Sequence, residues 1–357
     1  MDLTRPLFSI SLGASDPHCE GRRLRQAGPV VPVELPGLGA VWAVTTDATA
    51  RAAMTDSRLT SDIRCRGGSQ GTGTLSDRDL IARPGNAGAL HPHGGDYELM
   101  GRPLTAKQVE DLRPRIEAHV EQALDGLAAQ PSGLVDLKEF FAYPLCLRIL
   151  AERPSLPNLT AVSPLVPVSS TDGQPEAATA ADADATSRLI VNAVRGLLRF
   201  PYQLELLTTG RYSWASAVKE TLRWDPPVAH VLRYATEHLE LEGALIRKGD
   251  PVLICLAAIG RDEAHFDAER FEITRSPNPN LGFGHGTHGC PGAPIALLIA
   301  TVVLPALFTR FPRLARAPRA QGLPSMTVDT PQPCLVVVNA HLRDSLDEEI
   351  ERLLRDV

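Results

Sequence analysis

The sequence predicts an α+β chain that is mainly helical and carries a few short strands. Three observations point there. Apolar residues recur every three or four positions over 105–129 and again over 181–200, which is helical spacing. An apolar run fills 293–308 and reads as a buried helix. Clusters of β-branched residues, bounded by Pro and Gly, are confined to short pieces at 30–33, at 41–44 and within 228–262.

Taken in order, Asp16-Pro17 opens a polar helix that runs to about Gln26. Val30–Val33 and Val41–Val44 read as a hairpin across Pro36-Gly37-Leu38-Gly39, and a short helix from Asp47 to Met54 follows. From Cys65 to Gly95 the composition turns to Gly, Ser, Asp, Arg and Pro, which predicts a long surface loop. Thr105 caps a helix to Ala129 whose buried stripe is Leu112, Ile116, Val120, Leu124 and Leu127. Gly133–Leu137 is an extended link, and a second apolar helix spans Lys138–Glu152. Residues 154–180 are rich in Pro, Ser, Thr and Ala, with Asp172-Gly173 and Pro175 as breakers, and predict a flexible linker. The next helix starts near Ala181 and is stopped by Phe200-Pro201; another covers Ala215–Trp224 and ends at Asp225-Pro226-Pro227. Short strands fill 228–262, clearest at 233–236 and 249–254. A closing hairpin falls within 312–340, and 341–357 predicts an added acidic helix lined on one side by Leu342, Leu346, Ile350, Leu353 and Leu354.

Composition removes several classes of function. A net charge of −6 leaves no basic footprint for nucleic acid. The six cysteines, at 19, 65, 146, 255, 290 and 334, lack paired spacing and suit a reducing compartment better than a disulfide framework. Residues 1–25 hold no long apolar run, so neither a signal peptide nor a membrane anchor is expected and the location is read as cytoplasmic.

One stretch carries chemistry: Asn280-Leu281-Gly282-Phe283-Gly284-His285-Gly286-Thr287-His288-Gly289-Cys290-Pro291-Gly292. Cys290 precedes a proline at the expected first helical position, where helix amides and the positive end of the dipole favour a thiolate, the form that binds metal. Glycines at 284, 286, 289 and 292 clear side chains from both sides of the sulfur, as a backbone passing close to a large flat ligand requires. Phe283 is placed to lie against such a ligand and His288 to hydrogen-bond an acidic group on its rim. A buried structural cysteine in a glycine-rich turn is the plainer alternative.

From Phe283 to Gly292 the chain resembles the haem-binding loop of the cytochrome P-450 family, Phe-Gly-x-Gly-x-(His/Arg)-x-Cys-x-Gly, at every fixed position. The resemblance covers most of the chain except about 65–92 and 154–180. It implies a single domain over 1–357 of mostly helical architecture with small peripheral sheets and shortened roof helices. It also implies haem b (iron protoporphyrin IX) as cofactor, with Cys290 as the iron ligand. Glu220-Thr221-Leu222-Arg223 matches the family's Glu-x-x-Arg pair, with Arg270 at the position of the arginine that locks to it, a structural role. Arg233 matches the strand arginine that reaches a haem propionate, and bidentate recognition of carboxylates suits a guanidinium. His93 matches the first residue of a His-x-x-x-Arg pair for the propionates, with Tyr97 in place of the arginine. The central helix, Ala-Gly-x-(Asp/Glu)-Thr in the family, reads Ala181-Asp182-Ala183-Asp184-Ala185-Thr186. Asp184 keeps the acid and Ala185 replaces the threonine, so Asp184 and Thr186 are the candidates for proton delivery. Alternatively, Asp182 and Asp184 are first-turn acids that suit the helix dipole.

Two functions follow from the resemblance. The first is a soluble, bacterial-type haem-thiolate monooxygenase that inserts one oxygen atom into a small organic substrate, with electrons from a separate ferredoxin. The second is a catalytically degenerate relative that activates a partner enzyme such as a glycosyltransferase. Relatives of the second kind typically lack the cysteine that this chain keeps.

Overall fold

Helices and strands form largely where the local sequence asks for them. The structure is a computed structural model that describes residues 6–10, 17–35, 38–61, 65, 90–91, 104–130, 133–152, 175–286, 289–317 and 334–338. Pro17–Ala27 (α1) begins on a proline, whose missing N–H is no loss in a first turn. Val30–Leu35 (β1) and Gly39–Val44 (β2) pair antiparallel, Val30 opposite Val44, as the expected hairpin. Asp47–Thr55 (α2) places Asp47 in its first turn, favourable to the dipole. Two short strands follow, Leu59–Thr60 (β3) and Leu90–His91 (β4). Apart from Cys65 and β4, the loop expected over 65–95 lies outside the described residues.

The single helix expected from Thr105 to Ala129 is two. Thr105 caps Ala106–Glu110 (α3), its hydroxyl accepting the Gln108 N–H at 3.3 Å in a capping box. Arg113–Ala128 (α4) then starts afresh. Pro114 explains the break, because it has no N–H for the carbonyl of Glu110 and its ring crowds that oxygen. Leu134–Asp136 (β5) is the extended link. Beyond it, Lys138–Ala142 is a π turn before Tyr143–Ala151 (α5) rather than one helix to Glu152. Pro144 cannot donate to Phe140, and the Tyr143 N–H reaches back five residues to Lys138.

Pro175–Arg199 (α6) starts six residues ahead of Ala181, because Pro175 opens the helix instead of breaking it. The rest of the expected linker, 153–174, is outside the described residues. Phe200-Pro201 ends α6, and the same proline starts Pro201–Thr208 (α7), which the sequence did not announce. Trp214–Trp224 (α8), His230–Ala235 (β6), Leu239–Leu241 (β7), Ala244–Ile246 (β8) and Pro251–Ile254 (β9) follow the expected order. Leu256–Ile259 (α9) stands where strand was expected; all four residues are buried, so no period marks a helix. Ala293–Arg310 (α10) is the apolar helix. Among the described residues it alone is long and apolar enough to cross a membrane, and most of it is buried as a core helix is. Ala315–Arg316 (β10) and Leu335–Val337 (β11) make the closing hairpin. The helix expected over 341–357 is outside the described residues.

The chain divides into two compact units, one built from 1–103, 219–293 and 327–331, the other from 104–218, 294–326 and 332–357. In the first, the main sheet has the order β1-β2-β9-β6-β3, with β4 also on β6. β9 runs parallel to β2 and antiparallel to β6, which puts Arg233 opposite Val252 at its centre. Leu24, Val31, Val41, Leu232 and Leu253 belong to the core on this sheet. In the second unit, α5 lies along α6, and β10-β11-β5 form a three-stranded sheet. The fold is thus mainly helical with small sheets, as expected.

Candidate metal centre

Cys290 ends a loop that is tied by its own backbone. Its N–H donates to the Phe283 carbonyl at 2.8 Å, while Gly284 donates to Leu281 at 2.8 Å and Gly289 to Gly286 at 3.2 Å. Gly284 and Gly286 have φ of 79° and 60°, a region where other residues are strained. Pro291 is not the first helical residue. The Ala293 N–H reaches the Cys290 carbonyl at 3.2 Å across a turn, and α10 begins at Ala293. The residue before a proline is disfavoured in the helical region, in keeping with a helix that starts only beyond Pro291 and Gly292. The sulfur therefore gains less from the helix dipole than its sequence position suggested.

Cys290 is half-buried and in no disulfide. Among the described residues no three His, Cys, Asp or Glu gather into a chelating group. A thiolate outside any such group suits a metal whose other ligands come from a macrocycle.

A buried ion pair stands on α8. Glu220 and Arg223 are fully buried and pair through Nε–Oε2 at 2.9 Å and Nη2–Oε1 at 2.6 Å. Arg223 also donates to the carbonyls of Gly260 at 2.6 Å, Ala268 at 2.8 Å and Arg270 at 2.8 Å. Glu220 accepts the Glu272 N–H at 2.7 Å and the Asn278 amide at 2.8 Å.

The expected role of Arg270 is corrected. It contributes its carbonyl, whereas its side chain is 58% exposed and faces Asp267 and Glu272. Arg275 takes the place beside Glu220, with Nε at 3.4 Å and a side chain only 9% exposed. Arg270 follows a turn in which Asp267 has φ 48° and its carbonyl accepts the Arg270 N–H. Two arginines five residues apart offered no means of choosing between them in sequence.

The other candidates of this unit are placed as follows. Arg233 is buried on β6 and donates from Nη1 to the Leu232 carbonyl at 2.8 Å. Phe283 is half-buried at the start of the loop. His288, His93 and Tyr97 lie outside the described residues.

Asp184 and Thr186 belong to the second unit. α6 is uninterrupted α-helix across 181–186, so no bulge turns Thr186 toward the direction of Ala185, about 100° away. Thr186 itself is buried. Both oxygens of Asp184 are engaged, Oδ1 by Lys138 Nζ at 2.7 Å and Oδ2 by Arg188 Nε at 2.6 Å. Burial pushes this carboxyl up, but Arg188 and Lys138 outweigh burial and hold it below the usual carboxylate range. That is the geometry of a clamped carboxylate. Arg188, four residues on, was readable as its helical partner, whereas Lys138 arrives from a distant π turn and left no local signal.

The chain is similar to known proteins over most of its length. The family profile described as Cytochrome P450 matches residues 214–326. A 2-hydroxy-5-methyl-1-naphthoate 7-hydroxylase of Streptomyces carzinostaticus is 31% identical over 88% of this chain and 93% of its own length. The cytochrome P450 monooxygenase PikC of Streptomyces venezuelae is 30% identical over 85% of each chain. Among solved structures, CYP154C4 from Streptomyces sp. W2061 is similar with a TM-score of 0.77 and 31% identity, covering 94% of this chain and 99% of that one.

Proposed function

We propose, from the premise that this chain belongs to the cytochrome P450 family and is an oxidoreductase of its monooxygenase kind, that it inserts one oxygen atom of dioxygen into a small organic molecule of secondary-metabolite type. The family carries a haem, here proposed as haem b held by Cys290. Once bound through a thiolate, that group supplies the activation of dioxygen. The observation that carries the reading is Cys290 itself, set between Gly289 and Pro291-Gly292 in a loop closed by its N–H bond to the Phe283 carbonyl.

The roles proposed for the chain's own residues follow from their chemistry. Cys290 holds the iron, Arg233 holds a propionate carboxylate, and Phe283 lies against the macrocycle. Glu220, Arg223 and Arg275 keep the cysteine loop in place. Family members need an electron donor; a separate ferredoxin is proposed, in the cytoplasm, on the likeness to soluble bacterial members of the family.

A carbon monoxide difference spectrum of the reduced protein tests the reading. A thiolate-type Soret band is expected in wild type and absent in Cys290→Ala. Colourless protein after expression with ample haem would refute it.

A second reading, a non-oxygenating relative that supports a partner enzyme, is favoured by the clamped Asp184 beside Ala185. Peroxide-driven turnover separates the two, since the second predicts none in wild type or in Ala185→Thr.

A further inference from the structure

Resting on the reading of Cys290 as the iron ligand, we infer that Arg51 is a positioning residue for that ligand and acts through His285. Asp47, Arg51 and Thr55 stand at i, i+4 and i+8 of α2 and so share one face. This face meets the cysteine loop at two points. Arg51 Nη1 lies 3.5 Å from His285 Nδ1, and a Cβ on Gly286 would stand 3.1 Å from Thr55 Cγ2.

His285 sits between two glycines in left-handed conformations, outside any helix or strand, so its setting depends on what touches it. The guanidinium arrives already ordered. Asp47 holds its Nε at 2.7 Å and Nη2 at 3.1 Å. The Asp47 N–H is held by Asp262 Oδ2 at 2.8 Å, and Asp262 Oδ1 takes the Ala264 N–H at 3.1 Å. A fork fixed on one side loses little freedom when it reaches its last acceptor. Arginine has donors only, so His285 Nδ1 accepts in this pair. An i,i+4 pair facing solvent does little; this one is aimed at the loop.

The Asp47–Arg51 pair is also neutral as it stands. Without the guanidinium, Asp47 remains as an unbalanced negative charge beside the loop, which favours ferric over ferrous iron.

The test uses the haem-loaded protein and two readouts, neither of them turnover. Backbone hydrogen exchange over 281–292 is compared for wild type, Arg51→Gln, His285→Gln and the double variant. Each single is expected to speed exchange there by about threefold or more, the double no further than either single, with β6 and α8 at wild-type rates. In a redox titration Arg51→Gln is expected to raise the ferric-to-ferrous ratio at fixed potential by about threefold or more, and Arg51→Lys to restore most of it. Additive effects, faster exchange throughout the first unit or an unchanged potential would overturn the inference. Wild-type protein with no thiolate-type carbon monoxide band would overturn the Cys290 reading and this inference with it. A normal band beside an inert Arg51→Gln overturns the inference alone.

Discussion

Gly282 packs backbone to backbone against Leu222: a Cβ at Gly282 would lie 2.9 Å from the Leu222 carbonyl oxygen and 2.9 Å from its Cδ2. Leu222 stands between Glu220 and Arg223 on α8, and Gly282 stands one residue ahead of Phe283, whose carbonyl holds the Cys290 N–H. The buried ion pair and the sulfur are therefore joined through two successive contacts. A change at the first of them reaches the second without touching Cys290.

Gly282→Ala tests that chain of contacts. The neighbours are a helix carbonyl and a buried leucine, neither free to yield, so overpacking by one methyl is expected to destabilise by roughly 1–3 kcal/mol. A lower thermal midpoint together with a smaller thiolate-type carbon monoxide band is the expected result. A variant with wild-type midpoint and full band would show that the loop is positioned some other way.

Arg275 and Arg270 give opposite expectations. Arg275 is 9% exposed and stands 3.4 Å from the buried Glu220, so Arg275→Met removes that attraction together with the bonds its guanidinium donates to the Asp267 and Arg270 carbonyls, and is expected to destabilise by about 2 kcal/mol. Arg270→Ala keeps the carbonyl that Arg223 uses and removes only an exposed side chain, for a change of about 0.5 kcal/mol or less. Urea midpoints of the two variants decide the matter. A larger loss in Arg270→Ala would restore the partner expected from the sequence.

This pair also shows where the sequence was legible. Strand pairs, the ion pair on α8 and the cysteine loop could be read because each is local: alternation, one-turn spacing and a run of glycines. Arg275 could not, since its place beside Glu220 rather than that of Arg270 is a matter of packing between α8 and a loop about fifty residues later. The same holds for Lys138, which meets Asp184 only after a π turn imposed by Pro144. Proline misled in both directions, breaking the helix expected at Pro114 and opening the one at Pro175 where a linker was expected. Distant partners and the sense of a proline are set by packing, which a single sequence does not display.

His230 makes stability depend on pH. It is 4% exposed on β6, and its Nδ1 has no hydrogen-bond partner among the described residues. Burial lowers its pKa from 6.5 to about 4. Between these values the unfolded chain binds a proton that the folded chain refuses, so stability is full above about pH 6.5 and falls as the pH drops toward 4. The loss amounts to roughly 3 kcal/mol. His230→Gln cannot titrate, and the difference between the wild-type and variant urea midpoints is expected to narrow on acidification across this window. A difference independent of pH would show that His230 does not carry the effect.

Asp184→Asn tests whether the acid on α6 is a clamp. The substitution keeps shape and one acceptor oxygen but leaves Lys138 and Arg188, both largely buried, as two cations without a counter-charge. Breaking a buried pair in this way is expected to destabilise by about 2–4 kcal/mol. Because the folded pKa of Asp184 lies below its unfolded value, the lost contribution is one present above the unfolded pKa, near 3.9, and removed as pH falls further. Wild type and Asp184→Asn should therefore converge in stability only in strong acid. Adding Arg188→Met removes one of the stranded cations, so Asp184→Asn/Arg188→Met is expected to be more stable at neutral pH than Asp184→Asn alone. A group whose main task is to pass protons would behave differently: Asp184→Asn would unfold at the wild-type urea midpoint, and the second substitution would restore nothing.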